Sequence, residues 1–238
     1  MILEQLRKVT CTPNRVCIKI PQGNNTVKMH GMNVKLDISF EPGKHVDVYG
    51  EVVSICDKLL YGKRLEGSME HKTDIEVKVG DTVYFDYFVA IDALGYLADS
   101  VREDSDDYDI RYFVYNESLY IILDYGNLYA TVRGDDVIML NGHILVEPIK
   151  KEYEMAEYLT PAHRDMDDSF SGILRFAGSS NQEYLLDKYA DSVCINVGDQ
   201  IIFSKWNNQL LEQSIHSTFP WDGPLYKMQR KYVVGKIN

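Results

Sequence analysis

His163, Arg164 and Asp165 stand in the order of a kinase catalytic loop, where the aspartate would accept the proton of a substrate hydroxyl. The chain has no glycine-rich phosphate loop ahead of them and no Asp-Phe-Gly, so the tripeptide has no nucleotide to act on. Asp104-Ser105-Asp106-Asp107-Tyr108-Asp109 spaces carboxylates like the first half of a calcium loop. It places Asp109 where the sharp turn needs glycine, and Tyr115 where a bidentate glutamate should close the shell. The 6 histidines are scattered, with no His-x-x-x-His and no His-Glu-x-x-His. Cys11, Cys17, Cys56 and Cys194 show no CxxC spacing, so they read as ordinary buried thiols of a reducing compartment. Asn24-Asn25-Thr26 and Asn116-Glu117-Ser118 fit glycosylation acceptors, but the opening Met-Ile-Leu-Glu-Gln-Leu-Arg-Lys is too charged for an export signal. No Gly-x-Ser-x-Gly, GxGxxG or Walker sequence occurs. Nucleophile, base and orienting group never converge. The expectation is a non-enzyme with no cofactor, no metal and a cytoplasmic location.

The most informative stretch lies elsewhere and occurs twice. Val77-Lys78-Val79-Gly80-Asp81-Thr82-Val83-Tyr84-Phe85 returns as Ile195-Asn196-Val197-Gly198-Asp199-Gln200-Ile201-Ile202-Phe203. Glycine permits a turn at positive φ, aspartate can cap that turn with its side chain, and β-forming residues follow. A repeat of this kind implies an internal duplication.

Composition agrees with a globular chain: 238 residues, 45% apolar and 26% charged, enough for two small cores. A net charge of −11 argues against a nucleic-acid groove or an anionic membrane surface. No apolar run approaches the roughly 18 residues of a membrane helix.

The elements that would position the repeated unit are strands. Residues 14–20 alternate apolar and polar and stop at Pro21. Residues 21–49 read as a long polar loop with a short extended piece at Asn33-Val34-Lys35-Leu36. A strand at 50–55 follows, then a charged loop at 57–74. The first Val-Gly-Asp unit leads into a strand through Phe88. An acidic solvated loop fills 102–109, and strands return at 110–115, 119–123 and 128–132. Gly134-Asp135-Asp136 marks a boundary. The second half runs in the same order: 141–148 matches 13–19, a polar loop fills 150–171, 172–177 matches 50–55, and 225–228 matches 119–122. The spacing between matched residues falls from 128 (Val16 to Ile144) through 122 (Gly50 to Gly172) and 118 (Gly80 to Gly198) to 106 (Leu119 to Leu225). Anchors keep their order while loops shorten, as insertions distribute in a duplicated domain. The expected fold class is all-β: two small, partly closed barrels at 1–134 and 135–238.

The ordered anchors resemble the co-chaperonin (GroES-like) family. Arg15-Val16-Cys17-Ile18-Lys19, Gly50-Glu51-Val52 and residues 77–85 carry the likeness in the first copy. His143-Ile144-Leu145-Val146, Gly172-Ile173-Leu174 and residues 195–203 carry it in the second. The resemblance implies two tandem irregular β-barrels, assembly into a homo-oligomeric ring, and nucleotide-dependent capping of a chaperonin ring to assist protein folding. In that family a mobile loop holds a short apolar segment that seats on the chaperonin. By position the corresponding residues here are Val34 and Leu36 in the first loop, and Tyr158 and Leu159 in the second. Both loops depart from the family: a glycine pair is missing before each segment, and a charged residue lies in or beside it. The alternative is a structural ring or scaffold, for example of a phage particle, that uses the duplicated fold. The acidic first-copy insertion at 95–109 and the altered loop segments motivate it.

Overall fold

The computed structural model describes residues 11–21, 26–29, 32–35, 48–59, 75–93, 111–116, 118–150, 167–178, 195–204, 209–211 and 218–237. The chain divides into two compact units, 1–134 and 135–238.

The first unit opens with β1 (Arg15–Ile20), whose alternation buries Val16, Ile18 and Ile20. A hairpin follows, β2 (Thr26–Met29) and β3 (Met32–Lys35), paired antiparallel with each other and separate from the main sheet. Then come β4 (Tyr49–Ile55), β5 (Thr82–Phe85), helix α1 (Tyr87–Ala93), β6 (Tyr112–Tyr115), β7 (Ser118–Asp124) and β8 (Leu128–Arg133). Within this unit they order as β6-β7-β1-β4-β5-β8, and β9 (Asp136–Met139) opens the second unit.

The strand expected to run through Phe88 stops at Phe85. Residues 87–93 are helical instead, with the Val89 and Ala90 amides bonded back to the Asp86 carbonyl at 3.0 and 3.3 Å. Ala90, Ile91 and Ala93 are buried while Asp92 is exposed, which is one stripe of a 3.6-residue period. Packing of that stripe overrides the β preference of Tyr87, Phe88 and Val89.

The second unit holds β10 (His143–Lys150), β11 (Asp167–Ala177), β12 (Gln200–Phe203), β13 (Gln209–Leu210), β14 (Tyr226–Gln229) and β15 (Val233–Ile237), ordered β13-β14-β10-β11-β12-β15. Strand for strand this is the order β6-β7-β1-β4-β5-β8 of the first unit, and the recorded ladders between these strands are antiparallel. The irregularities repeat as well. The β1–β4 ladder slips past Val53, and the β10–β11 ladder slips past Arg175 at the matching place. The β5–β8 ladder slips past Tyr129, and the β12–β15 ladder past Val234. Bulges are specific departures from a ladder, so their coincidence ties the two frames more closely than strand count alone.

The cores correspond too. Ile144, Val146, Leu174, Ile195, Ile201, Phe203 and Met228 pack together in the second unit. Val16, Ile18, Val52, Val77, Val83, Phe85 and Leu123 occupy the matching positions in the first, and all are buried. One sequence match shifts. Leu123 lies opposite Val16 and Met228 opposite Ile144, so these strands align at a spacing of 105, one less than the sequence match. A slip of one residue turns every side chain to the other face, so burial selects the register that similarity of residue type missed. Both sheets are open in strand order among the described residues.

Candidate functional site

The long connections between the first two strands of each sheet are the candidate site. In the first unit this connection joins β1 to β4, and in the second it joins β10 to β11. Their stems are held by close approach of backbone. A Cβ on Gly50 would lie 2.5 Å from the Lys19 carbonyl oxygen, and one on Gly172 would lie 2.6 Å from the Glu147 carbonyl oxygen. Glycine is required at both because the neighbouring strand leaves no room for a side chain.

Of the four residues expected to engage a partner, Val34 is in β3, opposite Val27 in the hairpin register. Residues 33–35 of the extended piece expected at 33–36 are therefore part of one arm of a paired hairpin. Leu36, Tyr158 and Leu159 lie outside the described residues, as do His163-Arg164-Asp165, the acidic run 104–109 and Cys194.

The Val-Gly-Asp units hold the frame from which these connections leave. Gly80 and Gly198 take φ of 95° and 98°, a region that L side chains avoid. The Lys78 amide donates to Asp81 Oδ2 at 2.8 Å, and the Asn196 amide donates to Asp199 Oδ2 at 2.7 Å. The Gly80 and Gly198 amides then donate to the Val52 and Leu174 carbonyls, both at 2.8 Å, locking each turn to the second strand of its sheet.

Each carboxylate also meets a cation from the last strand of the repeated frame. Arg133 Nε donates to Asp81 Oδ1 at 2.8 Å and Nη2 to Oδ2 at 2.6 Å, a bidentate pair. The same Nη2 donates to the Glu76 carbonyl at 3.0 Å. Lys236 Nζ lies 2.8 Å from Asp199 Oδ2. Burial pushes the Asp81 carboxyl up, but the Arg133 bonds, the Lys78 amide and both cations outweigh it and hold it below the usual range. Asp199 is likewise lowered, chiefly by its bond with Lys236 and then by the Asn196 amide. Each aspartate thus closes its own turn and pairs with a cation of the last strand.

Three thiols that sequence spacing left unconnected come together in the first unit. Cys11 and Cys56 are β-bridge partners, and Cys11 Sγ donates to Ser54 Oγ at 3.5 Å. Cys17 lies opposite Ser54 across the β1–β4 ladder. All three are free. Burial raises the Cys11 thiol and pushes the Cys17 thiol up to about 12. Among the described residues no cluster of His, Cys, Asp or Glu is arranged to hold a metal ion, and no helix is long and apolar enough to cross a membrane. No protein-family model matches the chain, and no curated protein matches it.

Proposed function

We propose that the chain is a tandem co-chaperonin: two GroES-like barrels that cap a chaperonin ring through their long loops and assist protein folding, with no catalytic step. The observation that carries this reading is the repeated frame, with one long connection leaving the same place in each copy. A polar loop that orders only on binding gives up conformational entropy at that moment, so its grip is moderate and releasable. Such release is what a cap needs if it is to come off with each nucleotide cycle. Val34 and Leu36 in the first loop and Tyr158 and Leu159 in the second supply the apolar contact. A net charge of −11 suits a chamber wall that does not hold clients.

The same reading makes the protein a homo-oligomeric ring. β15 ends the strand order of its sheet, and its Val234 and Ile237 are exposed, 71% and 43%. An edge with exposed apolar residues is a pairing surface for another chain. The test is pull-down with a chaperonin ring, with and without ATP or ADP. Wild type is expected to form a nucleotide-dependent complex, and changing Tyr158 and Leu159 to Ser, with or without Leu36→Ser, to abolish it. A folded protein that gives no complex under any nucleotide condition ends this reading.

One observation favours a second reading, a structural ring or scaffold. The first loop already holds a paired hairpin, β2–β3, where a freely ordering segment was expected. Recovery of the protein at fixed stoichiometry in purified particles, in place of transient association with a chaperonin, would select the scaffold.

A further inference from the structure

The three thiols of the first unit are unused by the function proposed above, and their placement is specific. Cys11 and Cys56 face each other across a parallel bridge. Paired backbones lie about 4.8 Å apart, inside the roughly 4.4–6.8 Å Cα window of a disulfide. The Cys56 amide donates to the Arg15 carbonyl at 3.1 Å, which fixes its backbone on the end of β1. Cys11 Sγ reaches Ser54 Oγ. Ser54 and Cys56 are two residues apart on extended chain, so their side chains leave from one face. The Cys11 sulfur therefore already lies on the face from which the Cys56 sulfur projects. Cys11 is half-buried and Cys56 fully buried, which gives one thiol open to a small reagent and one shielded behind it.

The second unit supplies the control. Its matching positions are Met139 and Gly178, and a Cβ on Gly178 would run into the Met139 carbonyl. Close approach at this point belongs to the repeated frame, whereas thiols on both sides belong to the first unit alone.

We propose that Cys11 and Cys56 are a redox-modification site, which a small disulfide such as oxidised glutathione converts to an intramolecular disulfide. The Cys11 thiolate attacks one sulfur of glutathione disulfide, forming the mixed disulfide and releasing one glutathione thiolate. The Cys56 thiolate then attacks the Cys11 sulfur, and the second glutathione leaves. Two protein thiols are oxidised and one glutathione disulfide is reduced to two glutathione thiols, which take up by way of solvent the two protons that the protein thiols give up. The new bond encloses residues 11–56, that is β1, the first loop and β4, and so staples both stems of that loop. Burial raises the Cys11 thiol, so its thiolate is scarce at neutral pH and the reaction quickens as pH rises.

The test is to treat the reduced, folded full chain with oxidised glutathione at pH 7 to 9, quench with acid, and map tryptic peptides without reduction. The expected result is a loss of about 2 Da from the intact mass. Residues 9–15 and 45–58 should be recovered as one linked peptide. The melting temperature should rise by on the order of 10 °C and return with dithiothreitol. Cys17→Ser should leave the link unchanged, and Cys56→Ser should stop at a stable glutathione adduct on Cys11. Linkage of Cys11 to the Cys17 peptide (16–19) or to Cys194, a persistent glutathione adduct in wild type, or no reaction before unfolding would each overturn the proposal. If Cys56→Ser does not fold, the wild-type peptide map decides alone.

Discussion

Replacing Asp81 with alanine separates the structural role of the first Val-Gly-Asp unit from that of the second. Three hydrogen bonds to a charged acceptor disappear, from the Lys78 amide, Arg133 Nε and Arg133 Nη2. The aspartate side chain is 5% exposed, so water cannot replace those bonds on its side. Breaking a fully buried pair by removing one partner costs about 3–5 kcal/mol. The Arg133 side chain is 36% exposed and can turn to solvent, which discounts the loss. It also keeps its bond to the Glu76 carbonyl. We therefore expect Asp81→Ala to cost about 2–3 kcal/mol, a fall of roughly 6–12 °C in melting temperature for a unit of this size. Asp199→Ala removes one amide bond and a lysine pair from a carboxylate that is more open to water, so its effect should be clearly smaller. The assay is urea unfolding of wild type and both variants, followed by far-ultraviolet circular dichroism at pH 7. Equal losses for the two variants, or an Asp81→Ala loss below about 0.5 kcal/mol, the ordinary surface range, would refute the argument from bidentate pairing and burial.

Two further outcomes follow from the same geometry. Gly50→Ala and Gly172→Ala each push a methyl against a neighbouring strand, and each should cost about 1–3 kcal/mol by urea midpoint, with slope unchanged. Stability should also fall on acidification. The folded carboxyls of Asp81 and Asp199 are held below the unfolded value, so their contribution is complete above the ordinary value of about 3.9 and is lost as pH drops through the folded one. The difference in urea midpoint between wild type and Asp81→Asn should be constant from pH 7 to about 5 and shrink at lower pH. A difference that grew on acidification would reverse the assigned sign.

Much of the frame was readable because its signals are local. Alternation at 14–20 became β1, Arg15–Ile20, and the run at 50–55 became β4, Tyr49–Ile55. Both Val-Gly-Asp units make the turn that glycine and aspartate imply, with positive φ at Gly80 and Gly198 and a side-chain bond from each aspartate to the amide three residues back. The candidate loops were read by position, between the first two strands of each copy. The hairpin within the first loop was not, because Thr26-Val27-Lys28-Met29 looks like polar loop until a partner strand faces it.

Sequence alone thus determined that the chain is a β protein in two successive, similar parts, since φ preference, strand alternation and a repeated turn are properties of neighbouring residues. Tertiary structure decided what distance along the chain conceals. Arg133 was chosen as the partner of Asp81 by the β5–β8 pairing. The register of β14 was settled by which face of Met228 could be buried. Residues 87–93 became helix because a stripe of apolar side chains, Ala90, Ile91 and Ala93, is buried. Cys11 met Cys56 because strand pairing closes the long stretch between them. In each case the deciding energy lies in contacts between residues far apart in sequence, and no local pattern records those contacts.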